Sequence, residues 1–371
     1  MRILTVTNCP LDLTLGSGKT VLMFTAGLRA AGHTVDVLEP ADYEPAHLWT
    51  QRARKFRRAR WAAHAVARKM ATGYDLVEFY GDDFWLAART LHAARPRPVL
   101  VAHTNGLELL AHAREAAHRP PGVLRKWLDR ATHLRFSRVW LRSVDALVCL
   151  CGADARWAVE QGLLAADRVT VVEPGLDTPY RAGPVTPASS RGPRVGYSGS
   201  WIDRKGVDQL VRVMDRVLAL RPDVRFDVFG TSRCPAEQVR GAFAEAIRDR
   251  VIVHPKMSTQ ELADGLGRIG VYVFPSRYEG YGLALAEAMA RGCAVVTTPT
   301  GLGADLTDGR DGRVVGFDDT GGLEAAVLQL LDDPVAQDRV AVAGRQRVVE
   351  LDWHAAGRRL ADLYQSFGTA S

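Results

Sequence analysis

Ser276-Arg277-Tyr278-Glu279-Gly280-Tyr281-Gly282-Leu283-Ala284-Leu285-Ala286-Glu287-Ala288-Met289-Ala290 is the stretch that decides how this chain is read. Just before it, Val271–Phe274 is a β-branched and aromatic run that predicts a strand, and Pro275 ends that run. The apolar spacing from Leu283 through Ala290 predicts a helix. The order is therefore strand, glycine turn, helix. Gly280 and Gly282 let the backbone turn tightly and aim N–H groups at the positive end of the helix dipole, which makes a seat for an anion such as a phosphate. Glu279 precedes that seat, and Glu287 lies eight residues on, about two helical turns deeper. Two acids would repel a phosphate, but they suit sugar hydroxyls on either side of a diphosphate. Taken alone, the pair would read as an ordinary turn with two solvated glutamates. Other segments decide the matter.

Arg194-Val-Gly-Tyr-Ser-Gly-Ser-Trp-Ile-Asp-Arg-Lys-Gly-Val-Asp208 predicts a second strand, glycine turn and helix start. Arg204 offers a bidentate fork and Lys205 a point charge at a helix start. Cations are disfavoured there by the helix dipole, a local conflict that points to a bound anion. Together the two segments resemble the E-x7-E signature and the G-S-x-x-x-R-K-G element of retaining glycosyltransferases with the two-domain GT-B fold, family 4 in particular. The resemblance implies that Glu279 contacts the donor sugar as a catalytic residue and that Glu287 binds the nucleoside ribose, with Met257 also on the nucleoside. It also implies that Arg204, Lys205, Gly280, Tyr281 and Gly282 hold the donor diphosphate.

The resemblance extends to the other half of the chain. Val99-Leu-Val-Ala-His-Thr-Asn-Gly-Leu-Glu108 is similar to the family's strand that ends in a histidine facing the donor sugar, which makes His103 a second catalytic candidate. The N-terminus reads strand Arg2–Thr7, glycine loop, helix to Ala31, strand Thr34–Leu38, a βαβ unit that begins a parallel sheet. Gly18-Lys19-Thr20 suggests a Walker A loop, but the motif needs glycine at position 13, where Leu13 stands. By resemblance the loop instead approaches the donor phosphates, with Gly16 and Gly18 as the candidate contacts.

With 371 residues and 47% hydrophobic content, the chain can bury two cores. Strands are expected at Leu76–Phe79, Val99–Ala102, Ala146–Cys149 and Val169–Val172. A second set is expected at Arg194–Ser198, Arg225–Phe229, Val251–Val253, Val271–Phe274, Ala294–Thr297 and Arg313–Val315. Five prolines between Pro174 and Pro193 mark a linker. The expected architecture is α/β, a GT-B fold of two Rossmann-like doubly wound domains facing a cleft. Residues 1–178 form the acceptor-side domain, 179–193 the linker and 194–350 the nucleotide-sugar domain, with a helix in 351–371 packing back on the first domain.

The five cysteines show no metal-ligand spacing, and their odd count argues against a disulfide framework. No signal peptide or membrane-length apolar run is evident, so a reducing cytoplasm is expected. Residues 1–185 carry 25 Lys and Arg against 18 Asp and Glu, so the chain's formal net charge of +6 is concentrated there. Within it, Gln51–Met70 has eight cations and no acid, with Phe56, Trp61 and Val66 interleaved. As a helix this resembles a segment lying on an anionic membrane surface, peripheral on the inner face. The competing reading is an arginine-rich helix covering the sheet. No nucleic-acid recognition motif accompanies the charge.

The acid pairs Asp82-Asp83 and Asp332-Asp333 lack D-x-D spacing, so no metal is expected, and the resemblance implies no cofactor beyond the nucleotide sugar as co-substrate. The resulting expectation is a metal-independent, retaining, hexosyltransferase-type enzyme. It would use a nucleoside-diphosphate sugar, a UDP-sugar by preference, and a hydroxyl acceptor that is lipid-linked or a glycan. A GT-B epimerase or hydrolase and a silent GT-B binding module are the alternatives.

Overall fold

A computed structural model describes residues 1–13, 15–45, 51–120, 122, 132–231 and 234–368, with side chains at all of these except 51–56, 133 and 368. The chain divides into two compact units. One is Met1–Gly175 with Trp353–Ser371, and the other is Leu176–Asp352. Each unit is built on one six-stranded parallel sheet, the architecture of the GT-B fold.

In the first unit the strands are β1 (Arg2–Thr7), β2 (Thr34–Leu38), β3 (Leu76–Tyr80), β4 (Val99–His103), β5 (Ala146–Cys149) and β6 (Val169–Val171), in the order β2-β1-β3-β4-β5-β6. Their near-continuous apolar runs reflect burial on both faces of a parallel sheet: β3 and β5 are buried at every residue. The helix Gly16–Ala30 packs on the C-terminal helix Trp353–Gly368. A Cβ at Gly27 would lie 2.5 Å from Gly357 Cα, so the two glycines permit the close backbone approach. Phe24 meets Trp353 edge to face, with centroids 5.9 Å apart.

Gln51–Met70 is a helix, as its composition suggests, and one of its faces is packed on the protein. Ala59, Ala62, Ala65 and Val66 are buried. Arg58 is turned inward, with Nη1 2.9 Å from Asp83 and Nε on Glu44. Burial between two carboxylates removes Arg58 from any lipid-facing set. The side chains of Arg54, Lys55 and Phe56 lie outside the described residues.

In the second unit the strands are β7 (Arg194–Ser198), β8 (Arg225–Phe229), β9 (Val251–Val253), β10 (Val271–Phe274), β11 (Ala294–Thr297) and β12 (Arg313–Val314), in the order β12-β11-β10-β7-β8-β9. The order reverses between β7 and β10, the point at which doubly wound sheets open a crevice at their carboxyl ends. Residues 179–193, read as a linker, are packed on this unit. Tyr180 and Ala188 are buried, Ser189 bonds Asp338 through both its N–H and its hydroxyl, and Arg191 Nη1 donates to the Ile269 carbonyl at 2.9 Å. Proline fixes this segment's path without making it a free spacer.

None of the five cysteines forms a disulfide. Among the described residues no helix is long and apolar enough to cross a membrane. None of the described His, Cys, Asp and Glu side chains form a group of three or more able to hold a metal.

Candidate active site

The second unit joins its two signature segments at the carboxyl ends of β7 and β10. After β7, Asp203–Lys205 form a 3-10 turn and Gly206 takes a left-handed conformation, φ +70°, before the helix Val207–Leu220 begins. Arg204 and Lys205 therefore precede the helix, which softens the dipole conflict that the sequence suggested. Gly206 is required for a second reason: a Cβ there would lie 2.0 Å from the Pro275 carbonyl oxygen. That contact presses the Arg-Lys-Gly turn against the end of β10. The Arg277 N–H donates to the Arg204 carbonyl at 2.9 Å, and Arg204 Nη1 donates to the Tyr278 carbonyl at 2.6 Å.

Lys205 Nζ reaches Glu279 Oε1 at 2.7 Å and lies 5.2 Å from the centre of the Phe274 ring. Glu279 is 7% exposed. Its carboxylate also accepts from the Ser276 hydroxyl, and its N–H donates to Thr300 Oγ1 at 2.9 Å. Burial pushes the Glu279 carboxyl up, but the charges of Lys205 and Arg204 and the hydrogen bonds from Lys205 and Ser276 outweigh it and hold the group below its ordinary value. The result is a desolvated, ionised acceptor beside a cation.

Gly280, Tyr281 and Gly282 are buried, and Gly282, at φ +91°, leads into the helix Leu283–Ala290. The loop after β11 braces this turn: the Leu302 N–H donates to the Tyr281 carbonyl at 2.6 Å, and Gly301 sits where a Cβ would come within 2.3 Å of the same oxygen. Glu287 is half-buried on the helix, and its charge reaches the hydroxyls of Tyr180 and Tyr272, which burial first of all pushes up. Tyr272 is fastened to the end of β7 through Ser198 Oγ at 2.7 Å. Met257 is half-buried in the loop after β9, three residues along the sequence from His254, whose ring stacks on Phe229 with centroids 4.3 Å apart.

Residues 15–180 match Glycosyltransferase Family 4, and residues 192–333 match Glycosyl transferases group 1. The chain belongs to the family 4, group 1 glycosyltransferases. It is 28% identical over 182 residues, 47% of either chain, to a GDP-mannose-dependent monoacylated alpha-(1-6)-phosphatidylinositol monomannoside mannosyltransferase of Corynebacterium glutamicum, and so spans about half of that relative. Glycogen synthase of Mycobacterium tuberculosis is 28% identical over an alignment of 407 residues that covers 98% of this chain and 94% of the relative. Sucrose-phosphate synthase from Thermosynechococcus elongatus shares the fold, with a TM-score of 0.79 and 21% identity over the whole of both chains.

This glycosyltransferase places the remaining candidates in its first unit. Gly16 is exposed at the start of its helix, and Asn105 Nδ2 reaches the Ser17 carbonyl at 3.4 Å, which brings the glycine loop to the loop after β4. Gly18 fits because a Cβ there would lie 2.4 Å from the Pro10 carbonyl oxygen. His103 differs from the sugar-facing expectation. It is 0% exposed, stacked on Tyr80 with centroids 4.2 Å apart, tilted against Phe24, and its Nδ1 is 3.6 Å from Glu78 Oε2. Neither ring nitrogen has a hydrogen-bond partner. The β4 strand runs through the sheet's interior, so its last side chain is packed among aromatic rings rather than opened to a ligand.

Sequence reasoning missed Ser276 and Thr300 as supports of Glu279, and Arg277 as the guanidinium that grips Asp208. Ser276 and Arg277 lie inside the quoted stretch, where a hydroxyl and a guanidinium beside a carboxylate were an available signal. Thr300 carried none, since it comes from a different strand's loop.

Proposed function

We propose that this glycosyltransferase moves a sugar from a nucleoside-diphosphate sugar to a hydroxyl acceptor with retention of anomeric configuration. The observation that carries the reading is the Lys205–Glu279 pair beside the Gly280–Gly282 turn and Arg204. It supports a seat where cations meet a diphosphate and a buried carboxylate meets a sugar hydroxyl. In the front-face form of this chemistry, the acceptor oxygen bonds to the anomeric carbon on the face from which the diphosphate departs. The sugar–phosphate bond breaks, and the acceptor's proton passes to the leaving β-phosphate oxygen. Arg204, Lys205 and the helix N-terminus stabilise the charge that develops on that oxygen, and positioning supplies much of the remaining rate.

A UDP-sugar was the expected donor, while the first relative's name specifies GDP-mannose. The base is therefore read by experiment. The same relative acts on a lipid, which favours a lipid-linked acceptor, while glycogen synthase is named for a polysaccharide. Titration calorimetry with UDP, GDP and ADP tests the donor, and NMR of the product's anomeric signal tests retention. One diphosphate should bind, and the matching donor should be consumed only with acceptor present. Donor turnover without acceptor would instead favour the epimerase or hydrolase, and failure of all three diphosphates the silent module. Activity should also persist in excess EDTA; a loss restored by magnesium or manganese would overturn metal independence.

A further inference from the structure

Three cations, Arg204, Lys205 and Arg277, stand close to the Gly280–Gly282 turn, but their surroundings differ. Arg277 is 6% exposed, and its guanidinium forms a fork on Asp208 at 2.7 and 2.9 Å. Its remaining donors go to the Asp203 carbonyl at 2.7 Å and to Asp318 Oδ1 at 3.1 and 3.2 Å. Two carboxylates and a carbonyl thus occupy the fork geometry that would otherwise grip a phosphate. Asp318 is the one non-glycine residue among those described with a left-handed backbone, φ 58°. Such strain persists where the surroundings over-determine it, and here Arg277 holds the carboxylate of the strained residue.

The same residue is stitched into the donor turn by its backbone. Its N–H bonds the Arg204 carbonyl, so residue 277 ties the Asp203–Asp208 segment to the Ser276–Glu279 segment through both main chain and side chain. Lys205 belongs to the first segment and Glu279 to the second. We propose that Arg277 is a positioning residue of the donor site, which does not touch the sugar nucleotide but fixes Lys205 against Glu279 by binding Asp203, Asp208 and Asp318 around it.

The inference rests on the donor-site reading of Lys205 and Glu279, and a double-mutant cycle separates the two. Affinity for UDP, GDP and ADP is measured by titration calorimetry on wild type, Lys205→Ala, Arg277→Gln and the double variant, with thermal midpoints recorded for each. Arg277→Gln should weaken the bound diphosphate about tenfold in the wild-type background and leave it nearly unchanged once Lys205 is gone. Asp208→Asn, a milder change that keeps the guanidinium, should show the same non-additivity if Arg277→Gln fails to fold. Additive losses would mean that Arg277 binds phosphate itself or acts only through global stability, and either overturns the proposal. So would unchanged affinity in Arg277→Gln while Lys205→Ala is impaired. Intact affinity in Lys205→Ala would instead overturn the donor-site reading on which the proposal rests.

Discussion

Lys205 and Glu279 stand 74 residues apart in sequence and 2.7 Å apart in space, a cation and a carboxylate joined across the carboxyl ends of β7 and β10. Each was expected to serve a different part of the donor, Lys205 the diphosphate and Glu279 the sugar. In the folded protein Lys205, with Arg204 and the Ser276 hydroxyl, also keeps the buried Glu279 ionised. Removing either therefore changes more than one contact.

Lys205→Ala should weaken nucleoside diphosphate binding by about 1.5–3 kcal/mol, the range for hydrogen bonds to charged groups. It should also raise the Glu279 carboxyl toward protonation, because burial then acts with one opposing charge fewer. Calorimetry across pH would read both effects. Unchanged affinity would remove Lys205 from the site.

The two glutamates should separate by ligand. Glu287→Ala should weaken the free nucleoside diphosphate, whereas Glu279→Gln should largely spare it and lower turnover of the intact donor. Steady-state kinetics beside calorimetry would show the split, and the opposite pattern would exchange the two roles.

The basic helix Gln51–Met70 now divides into two kinds of cation. Arg58, between Glu44 and Asp83, is a stability residue: Arg58→Ala takes the guanidinium away from two buried carboxylates and should cost about 2–4 kcal/mol in urea unfolding. Arg60 and Arg68 are exposed on the same helix. If the helix meets anionic lipid, the double change Arg60→Glu and Arg68→Glu should reduce co-sedimentation with phosphatidylserine vesicles at low salt and leave stability intact, and added salt should release the wild type. Wild-type protein that stays in the supernatant at low salt would leave only the sheet-covering role.

Asp208 gives a pH signature. Burial alone would raise its carboxyl, but the Arg277 fork holds it at about 2, against an ordinary 3.8. A depressed acid stabilises the fold above its unfolded value, and the gain is lost as pH falls from about 4 toward 2. Because a third of the Asp208 side chain is exposed to water, the contribution is about 1 kcal/mol after screening. The stability gap between wild type and Asp208→Asn should narrow in urea titrations taken from pH 6 down to 3. A gap constant over that range would show that the carboxylate's charge is not what stabilises.

The sequence by itself determined the twelve strands, the glycine turns and the family. Strand propensity, proline stops and the φ that glycine allows are local properties, and runs such as Val271–Phe274 and Arg194–Ser198 carry them intact. What only the tertiary structure decided is which charges meet. Strand order puts β7 beside β10, and that adjacency brings Lys205 to Glu279 and Arg277 to Asp208. The fold likewise turned Arg58 inward to acids 14 and 25 residues away and enclosed His103 among Tyr80, Phe24 and Glu78. The physical reason is that a charge's environment is set by neighbours from other strands, and a one-dimensional pattern holds no record of their distance or their burial.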